Sequence, residues 1–414
     1  MLKQRMHRLA LLATAGWGLA TGLAHAGEIT FWTWRQEDKA SYVELFADFT
    51  KANPGITVKF EAFPTENYNT IVATALAGGK GADVLHVRAY GGLEALAKAN
   101  YLVPLTLANV PELKNLPADA QASETLRADG KVYAVSLAGQ TLGILINTEL
   151  FAKANVKPPT DWASFISAAK TLKAAGITPI ANGTATPWMD AVFHSVFSNP
   201  YLGPQFVADI LAGKTNFEDK RYIDATAKLL ELREYMPAGF TGVDYPTAQQ
   251  LFSTGRAAMF VGGSFEIAPF RKANPALKLD FIAPPGPTGA GPVSRFFDSG
   301  FAINAKSPHQ EDALKLVRYL GTPEFASKAG EKLGNISSLS GVTNPDPLLG
   351  KVAALNATAM PYIMLVHFRY ESPTGSDLLQ DGVQKMMAGT MTPAEVGTMV
   401  NQGIAKYYVP FQKK

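Results

Sequence analysis

Short runs rich in β-branched and aromatic residues alternate along this chain with helical patterns, and that alternation restricts it to an α/β architecture. The runs are 28–34, 56–60, 83–87, 142–147, 257–262 and 279–283. Strand followed by helix followed by strand predicts sheets that are largely parallel. The intervening helices carry their own signals. Tyr42, Leu45, Phe46 and Phe49 stand at i, i+3, i+4 and i+7, one core-facing stripe, and Asn53-Pro54-Gly55 stops it. Trp162, Phe165, Ile166 and Ala169 repeat the spacing, with Thr160 as the expected N-cap and Gly176 as the C′ residue. Ser307-Pro308 reads as N-cap and N1 of a helix carrying Ala313, Leu316, Val317 and Leu320 and ending at Gly321.

The chain has 414 residues, room for two lobes at roughly 100 to 200 residues per domain. No internal repeat, low-complexity tract or Pro-rich linker separates two halves. Two lobes without a linker imply that the chain passes between them through ordered segments, more than once, and that the lobes share a cleft.

Residues 1–26 read as a secretory signal peptide. Lys3, Arg5 and Arg8 form a basic flank, residues 9–23 an apolar stretch, and Ala24-His25-Ala26 a small-x-small cleavage site before Gly27. The stretch falls short of the ~20 apolar residues of a membrane span and is interrupted by Gly16, Gly18, Thr21 and Gly22. With no cysteine to carry a lipid, the expected product is free in a bacterial periplasm. Of the 38 basic residues those three lie in the signal, which leaves 35 against 35 acidic ones in the remainder. A neutral mature chain argues against a nucleic-acid or anionic-membrane surface.

The search for catalytic spacing is negative. The lack of cysteine excludes thiol nucleophiles, disulfides and Cys-ligated zinc. There is no H-E-x-x-H, phosphate loop, G-x-G-x-x-G after a strand or G-x-S-x-G elbow; Gly262-Gly263-Ser264-Phe265-Glu266 lacks the last glycine. Outside the signal, His86, His194, His309 and His367 are isolated and read as structural or surface histidines. No metal and no cofactor is expected.

Several segments, in order, carry a family resemblance: the opening ITFWTW (29–34), FADFTKANPGIT (46–57), GADV (81–84), LGILIN (142–147), PPTDW (158–162), GRAAMFVGGSFE (255–266) and GFAINAKSP (300–308). Together they resemble the extracellular solute-binding proteins that deliver sugars to ATP-driven importers, in the maltose-binding-like branch. The resemblance runs from residue 28 to the C-terminus. It implies a periplasmic binding protein-like α/β fold with two lobes, an N-terminal lobe of 27–143 and 301–341 and a C-terminal lobe of 147–298 and 345–414. The crossings would fall near 142–147, 297–303 and 340–345. It also implies lobes that close on a ligand, a monomer, and a membrane permease as partner.

A neutral sugar offers hydroxyls for polar side chains and C–H faces for aromatic rings. Aromatics beside polar groups at strand ends are therefore the candidates: Trp34 with Gln36 and Glu37, Tyr68, and Arg88 with Tyr90 in the first lobe. Trp188, Phe265 with Glu266, and Phe368 with Arg369 come from the second; Gln140 and Asp298 lie beside the crossings. By motif position Trp188, Phe265 and 368–370 resemble the family's stacking sites, although Phe265 replaces its common Trp. Of Trp32 and Trp34, one is expected in the core, and the resemblance puts Trp34 at the cleft. Each position also has a plain alternative: Tyr68 as packing at a helix start, and Glu37, Glu266 and Asp298 as solvated caps.

Arg88 and Arg369, with Arg35 and Arg295 nearby in motif terms, suit carboxylate or phosphate as well as sugar hydroxyls. The expected function is thus a sugar-binding protein of an importer that catalyses nothing. Its alternatives are a binding protein for an acidic sugar or other small anion, a secreted carbohydrate-active enzyme using Glu37, Glu266 or Asp298, and a protein that also couples to a chemoreceptor.

Overall fold

The computed structural model describes residues 27–412; the expected signal peptide lies outside them. In chain order the strands are β1 (Gly27–Thr33), β2 (Ile56–Ala62), β3 (Val84–Arg88), β4 (Ala134–Ser136), β5 (Ala138–Asn147) and β6 (Thr178–Ile180). They continue as β7 (Ala257–Gly263), β8 (Leu279–Ile282), β9 (Ser294–Phe297), β10 (Ser299–Ile303), β11 (Ile336–Ser337) and β12 (Met360–Pro361). These twelve divide into two sheets, and each sheet with its helices forms one α/β lobe.

The first sheet has the order β2-β1-β3-β10-β4, with β1 parallel to β2 and β3 and with β10 antiparallel to both its neighbours. The second is built around β5, ten residues long and buried throughout, which runs antiparallel to β7, β8, β9 and β11. Only β6 on β7 and β12 on β9 are parallel there. The expectation of largely parallel sheets thus fails in the second lobe. Its central strand arrives from the other lobe, and its partners return toward that lobe and so run against it.

Helix α1 (Lys39–Ala52) buries the Tyr42, Leu45, Phe46 and Phe49 stripe as its spacing requires, with Phe31 of β1 against Phe46 at 5.0 Å. Two caps differ from expectation. Helix 162–174 is capped by Asp161, not Thr160, because the Asp161 carboxylate and Ser164 close a reciprocal capping box. Ser307 does not cap the helix that follows it, which begins at Gln310; its hydroxyl donates to Asp83 (2.6 Å) and accepts the His309 N–H (2.9 Å). His86 is tied to Thr33 and Ser299 in the core, and His194 to Thr226.

Where the chain passes between sheets, the passing segments bond to one another. The first passage is at Leu137, between β4 and β5, ahead of 142–147, and the second at Asp298, between β9 and β10. The Leu137 N–H donates to Ser299 O (2.9 Å) and the Asp298 N–H to Ala138 O (3.2 Å), while the Asp298 carbonyl accepts from Ala89 N–H (3.2 Å). A third segment joins them at β11: Ser338 donates through its N–H to Leu137 O (3.3 Å) and through its hydroxyl to Ser136 O (2.6 Å). Tyr90, at the end of β3, braces this ladder by accepting the Phe297 N–H on its hydroxyl at 3.1 Å. Its backbone sits at φ 58°, a conformation that costs a side-chain-bearing residue of order 1–3 kcal/mol and is held by its surroundings.

Beside Tyr90, helix α2 (Gly91–Lys98) packs its first residue on the second lobe, where a Cβ on Gly91 would stand 1.7 Å from the Arg369 carbonyl oxygen. The same contact continues through Arg127 over the Tyr370 ring (3.4 Å) and Lys98 to Glu371 (3.2 Å). Gly91→Ala should force the lobes apart here and lower stability by about 1–3 kcal/mol, as overpacking does. Calorimetry should therefore find Tm reduced by several degrees; an unchanged Tm would mean that this contact is not made in solution.

Glu124 lies under the same ladder. It is fully buried over Gly300, its Oε2 has no hydrogen-bond partner, and burial pushes its carboxyl up to about 8, with Asp298 adding to the effect. A carboxyl raised in the folded state contributes no penalty below the unfolded pKa, and stability is lost as pH climbs toward the folded value. Glu124→Gln removes that loss. The Tm of Glu124→Gln minus that of the unaltered protein should therefore increase between pH 5 and pH 8; a constant difference across that window would contradict the assignment.

Candidate functional site

The carboxyl ends of β1 and β3 and the Asp298 passage bring four of the expected residues together in the first lobe. Trp34 is only 4% exposed: His86 stacks on its ring at 4.2 Å, and the Arg88 guanidinium lies over it at 3.7 Å. Arg88 also reaches Asp298, Nη1 to Oδ1 at 3.5 Å. Burial brings the Arg88 pKa down to about 10, Asp298 opposes this, and the like charges of Arg369 and Arg35 add to it. Tyr68 is buried against Trp34 and donates its hydroxyl to Trp32 O (2.9 Å).

The division expected between Trp32 and Trp34 does not occur. Residues two apart on an extended chain share a face, and both indoles join one cluster with Tyr68, Phe63 and Leu85. Trp34 is thus the pedestal on which Arg88 rests, and the guanidinium is the group it presents. Gln36 is exposed and lines a depression of about 470 Å³ with Lys39 and 60–63. Glu37 is exposed and pairs with Arg35 at 3.0 Å, and its carbonyl accepts Lys272 from the second lobe at 3.2 Å.

In the second lobe three rings form a cluster. Trp188 opens helix α3 (Pro187–Leu211), Tyr245 opens helix α4 (Tyr245–Ser253), and Phe265 follows β7. Trp188 meets Tyr245 edge-on at 4.8 Å and Phe265 at 6.4 Å, and all three rings stay partly exposed. Phe265 can lie flat because Gly263 has no side chain; a Cβ there would come within 2.3 Å of the ring. Glu266, fully buried, accepts the Tyr245 hydroxyl (2.8 Å) on one oxygen and the Gln249 amide (2.9 Å) on the other. Burial raises its carboxyl to about 7 against those two bonds and Arg35.

Gln140 on β5 accepts the Ser264 hydroxyl at 2.7 Å, and Ser264 in turn accepts the Thr141 N–H at 3.2 Å. The Gln140 amide is thereby oriented beside the Asp298 passage. Arg369 stands next to Gly91 at the contact between the lobes.

Phe368 corrects an expectation. It is fully buried among Phe217 (5.3 Å), Tyr408 (5.0 Å) and Phe411, in the core of the C-terminal helices, so its ring packs and offers no surface. Tyr90 likewise is the hinge brace described above, 7% exposed. One residue escaped sequence reasoning. Tyr245 lies in the Asp244-Tyr245-Pro246 helix start, whose only signal was the capping Asp before Pro at N2; the Trp188 contact is purely tertiary. Arg35, bonded to Asp38 at 2.7 Å, senses Tyr245 and Glu266 across the cleft. Among the described residues no group of three or more His, Asp or Glu could hold a metal ion, and no helix is long and apolar enough to cross a membrane.

This arrangement of two sheets has counterparts among known proteins. The multiple sugar-binding protein of Streptococcus mutans is 25% identical over 324 residues, 76% of this chain and 76% of that relative. A protein solved in work on xylan utilisation by Caldanaerobius polysaccharolyticus superposes with a TM-score of 0.79 at 24% identity, covering 91% of this chain and 99% of the other. The maltose/maltodextrin-binding domain MalE from Bdellovibrio bacteriovorus, bound to maltotriose, gives 0.72 at 22% identity over 94% and 99%. These two show the fold, two α/β lobes. Residues 33–326 match the family described as bacterial extracellular solute-binding protein, and that span is more than half of the sequence. This chain belongs to the family of bacterial extracellular solute-binding proteins.

Proposed function

We propose that the protein is the periplasmic sugar-binding component of an ABC importer, exported by its 1–26 segment, that closes its lobes on a mono- or oligosaccharide, catalyses nothing and hands the ligand to the permease as a monomer. The observation that carries this reading is the partly exposed Trp188–Tyr245–Phe265 cluster of one lobe, with Arg88, Asp298 and Arg35 of the other at the same cleft. Flat rings take the C–H face of a sugar, and oriented polar groups take its hydroxyls. The sugar-binding name of the S. mutans relative supports the same class.

In this reading Trp188 and Phe265 stack on the ligand, Gln140, Arg88, Asp298, Arg369 and Glu37 read hydroxyls, and Glu266 sets the Tyr245 ring. Trp34 and Tyr68 support Arg88 from below, and Gln36 serves the rim. The carboxylates that an enzyme would need are already engaged: Glu266 by Tyr245 and Gln249, Asp298 by Arg88, Glu37 by Arg35. Arg88 and Arg35 are engaged by Asp298 and Glu37 in turn, which supports a neutral ligand over an acidic one. Lobe closure then follows from a ligand that contacts both lobes, because only differential affinity shifts the equilibrium.

A thermal-shift screen of the mature protein against neutral sugars, oligosaccharides, uronates and sugar phosphates tests this. A ligand at 100 times Kd adds about 2.7 kcal/mol, a shift of several degrees. Neutral sugars should give it, and Trp188→Ala should weaken binding about tenfold or more. A response confined to acidic sugars and lost in Arg88→Ala would replace the neutral ligand, and turnover of any sugar would remove the non-enzymatic reading.

A further inference from the structure

One buried acid has no structural task. Asp190 lies at the start of α3, two residues after Trp188, and is only 2% exposed. Its side chain makes no hydrogen bond among the described residues, and its Oδ2 is buried without a partner. Burial alone pushes its carboxyl up to about 9. Other buried acids differ: both Glu266 oxygens are bonded, Asp83 is held by Thr30 and Ser307, and Glu124, though its Oε2 is also unpartnered, keeps a contact from the Ser123 hydroxyl at 3.4 Å.

The surroundings of Asp190 connect it to the cleft. The hydroxyl of Tyr362 lies within electrostatic reach of both Asp190 and Arg369. The Tyr362 ring meets Phe296 edge-on at 5.6 Å, and Phe296 is the cross-strand partner of Gln140. Asp190 and Arg369 thus share the Tyr362 corner, and the Phe296 ring links that corner to Gln140 on β5. A fold gains nothing from an unpaired buried carboxyl, which a nonpolar or amide side chain of similar volume would replace to advantage. Residues kept against stability are characteristic of binding sites.

We propose that Asp190 is a ligand-reading carboxyl of the C-terminal lobe, which accepts hydrogen bonds from sugar hydroxyls. The proposal rests on the sugar-binding reading and deepens it. The positive charge of Arg369 in the same corner disfavours an ammonium group, so the partner is a hydroxyl pair and not an amino sugar.

The test uses the mature protein with galactose, raffinose, maltotriose and xylotriose, followed by singly deoxygenated forms of whichever sugar gives the largest thermal shift. Asp190→Asn should match or exceed the unaltered protein in Tm without ligand and should bind that sugar about tenfold or more weakly. At least one deoxy form should bind the unaltered protein about tenfold more weakly than the parent sugar, and this penalty should vanish in Asp190→Asn. Asp190→Ser gives the same comparison if the Asn variant folds poorly. Unchanged affinity in the variant, or a deoxy penalty that survives the substitution, overturns the proposal and leaves the sugar-binding reading standing. A lowered Tm with sugar discrimination intact makes Asp190 a structural residue. Failure of every sugar with the unaltered protein overturns the sugar-binding reading and this inference with it.

Discussion

The backbone ladder formed by Leu137, Asp298 and Ser338 is the constraint on which the remaining architecture depends. Three segments that pass between lobes bond laterally to one another, so none can twist alone. Backbone bonds that would otherwise be lost to solvent at a linker are kept, which is why the chain needs no flexible tether between its halves. A hinge of this kind absorbs rotation in a few φ/ψ angles while the sheets on either side stay rigid. The side chains nearest it have to serve both purposes. Asp298 bonds through its backbone to Ala89 and Ala138 and through its carboxylate to Arg88, so the group that anchors the hinge also faces the cleft.

That coupling organises the electrostatics of the cleft. Arg88 rests on Trp34 and pairs with Asp298, and Arg35 is held by Glu37 and Asp38. The guanidinium groups are thereby fixed before any ligand arrives, and fixed groups lose little entropy on binding. Because each is matched by acids from its own lobe, closing the lobes brings together surfaces that are polar but close to neutral. The rings on the facing lobe are set by equally local means: Gly263 lets Phe265 lie flat, and Glu266 holds Tyr245.

The periodic features of the sequence translate directly into structure, and the particular contacts do not. The stripe Tyr42, Leu45, Phe46 and Phe49 and all six expected strands appear because each depends on neighbours within a few residues. Thr160 loses the cap to Asp161 through competition between adjacent side chains for one set of N–H groups. Phe368 looked like a cleft ring by position, but Phe217 and Tyr408, at distant points of the chain, enclose it. Tyr245 was invisible for the converse reason, since its partners Trp188 and Glu266 are brought to it only by the fold. The ordering of the family segments carried what local periodicity could not: two lobes and several passages.

Buried acids around the cleft show why such a site costs the protein stability and why the cost is uneven. Glu266 is compensated by two donors, so its desolvation is largely repaid in the position of Tyr245. Glu124 has one long contact with Ser123 at 3.4 Å and sits beneath the hinge, and Asp190 has none. Desolvation that the folded chain leaves uncompensated is available to whatever supplies the missing hydrogen bonds, and a polyhydroxyl ligand supplies several at once. An incompletely satisfied polar interior beside an open ring platform is in this sense a store of binding energy. On the proposal made for Asp190, whose lobe also carries the ring cluster while Arg88 and Asp298 stand at the other side of the hinge, that energy is released fully only when one ligand reaches both.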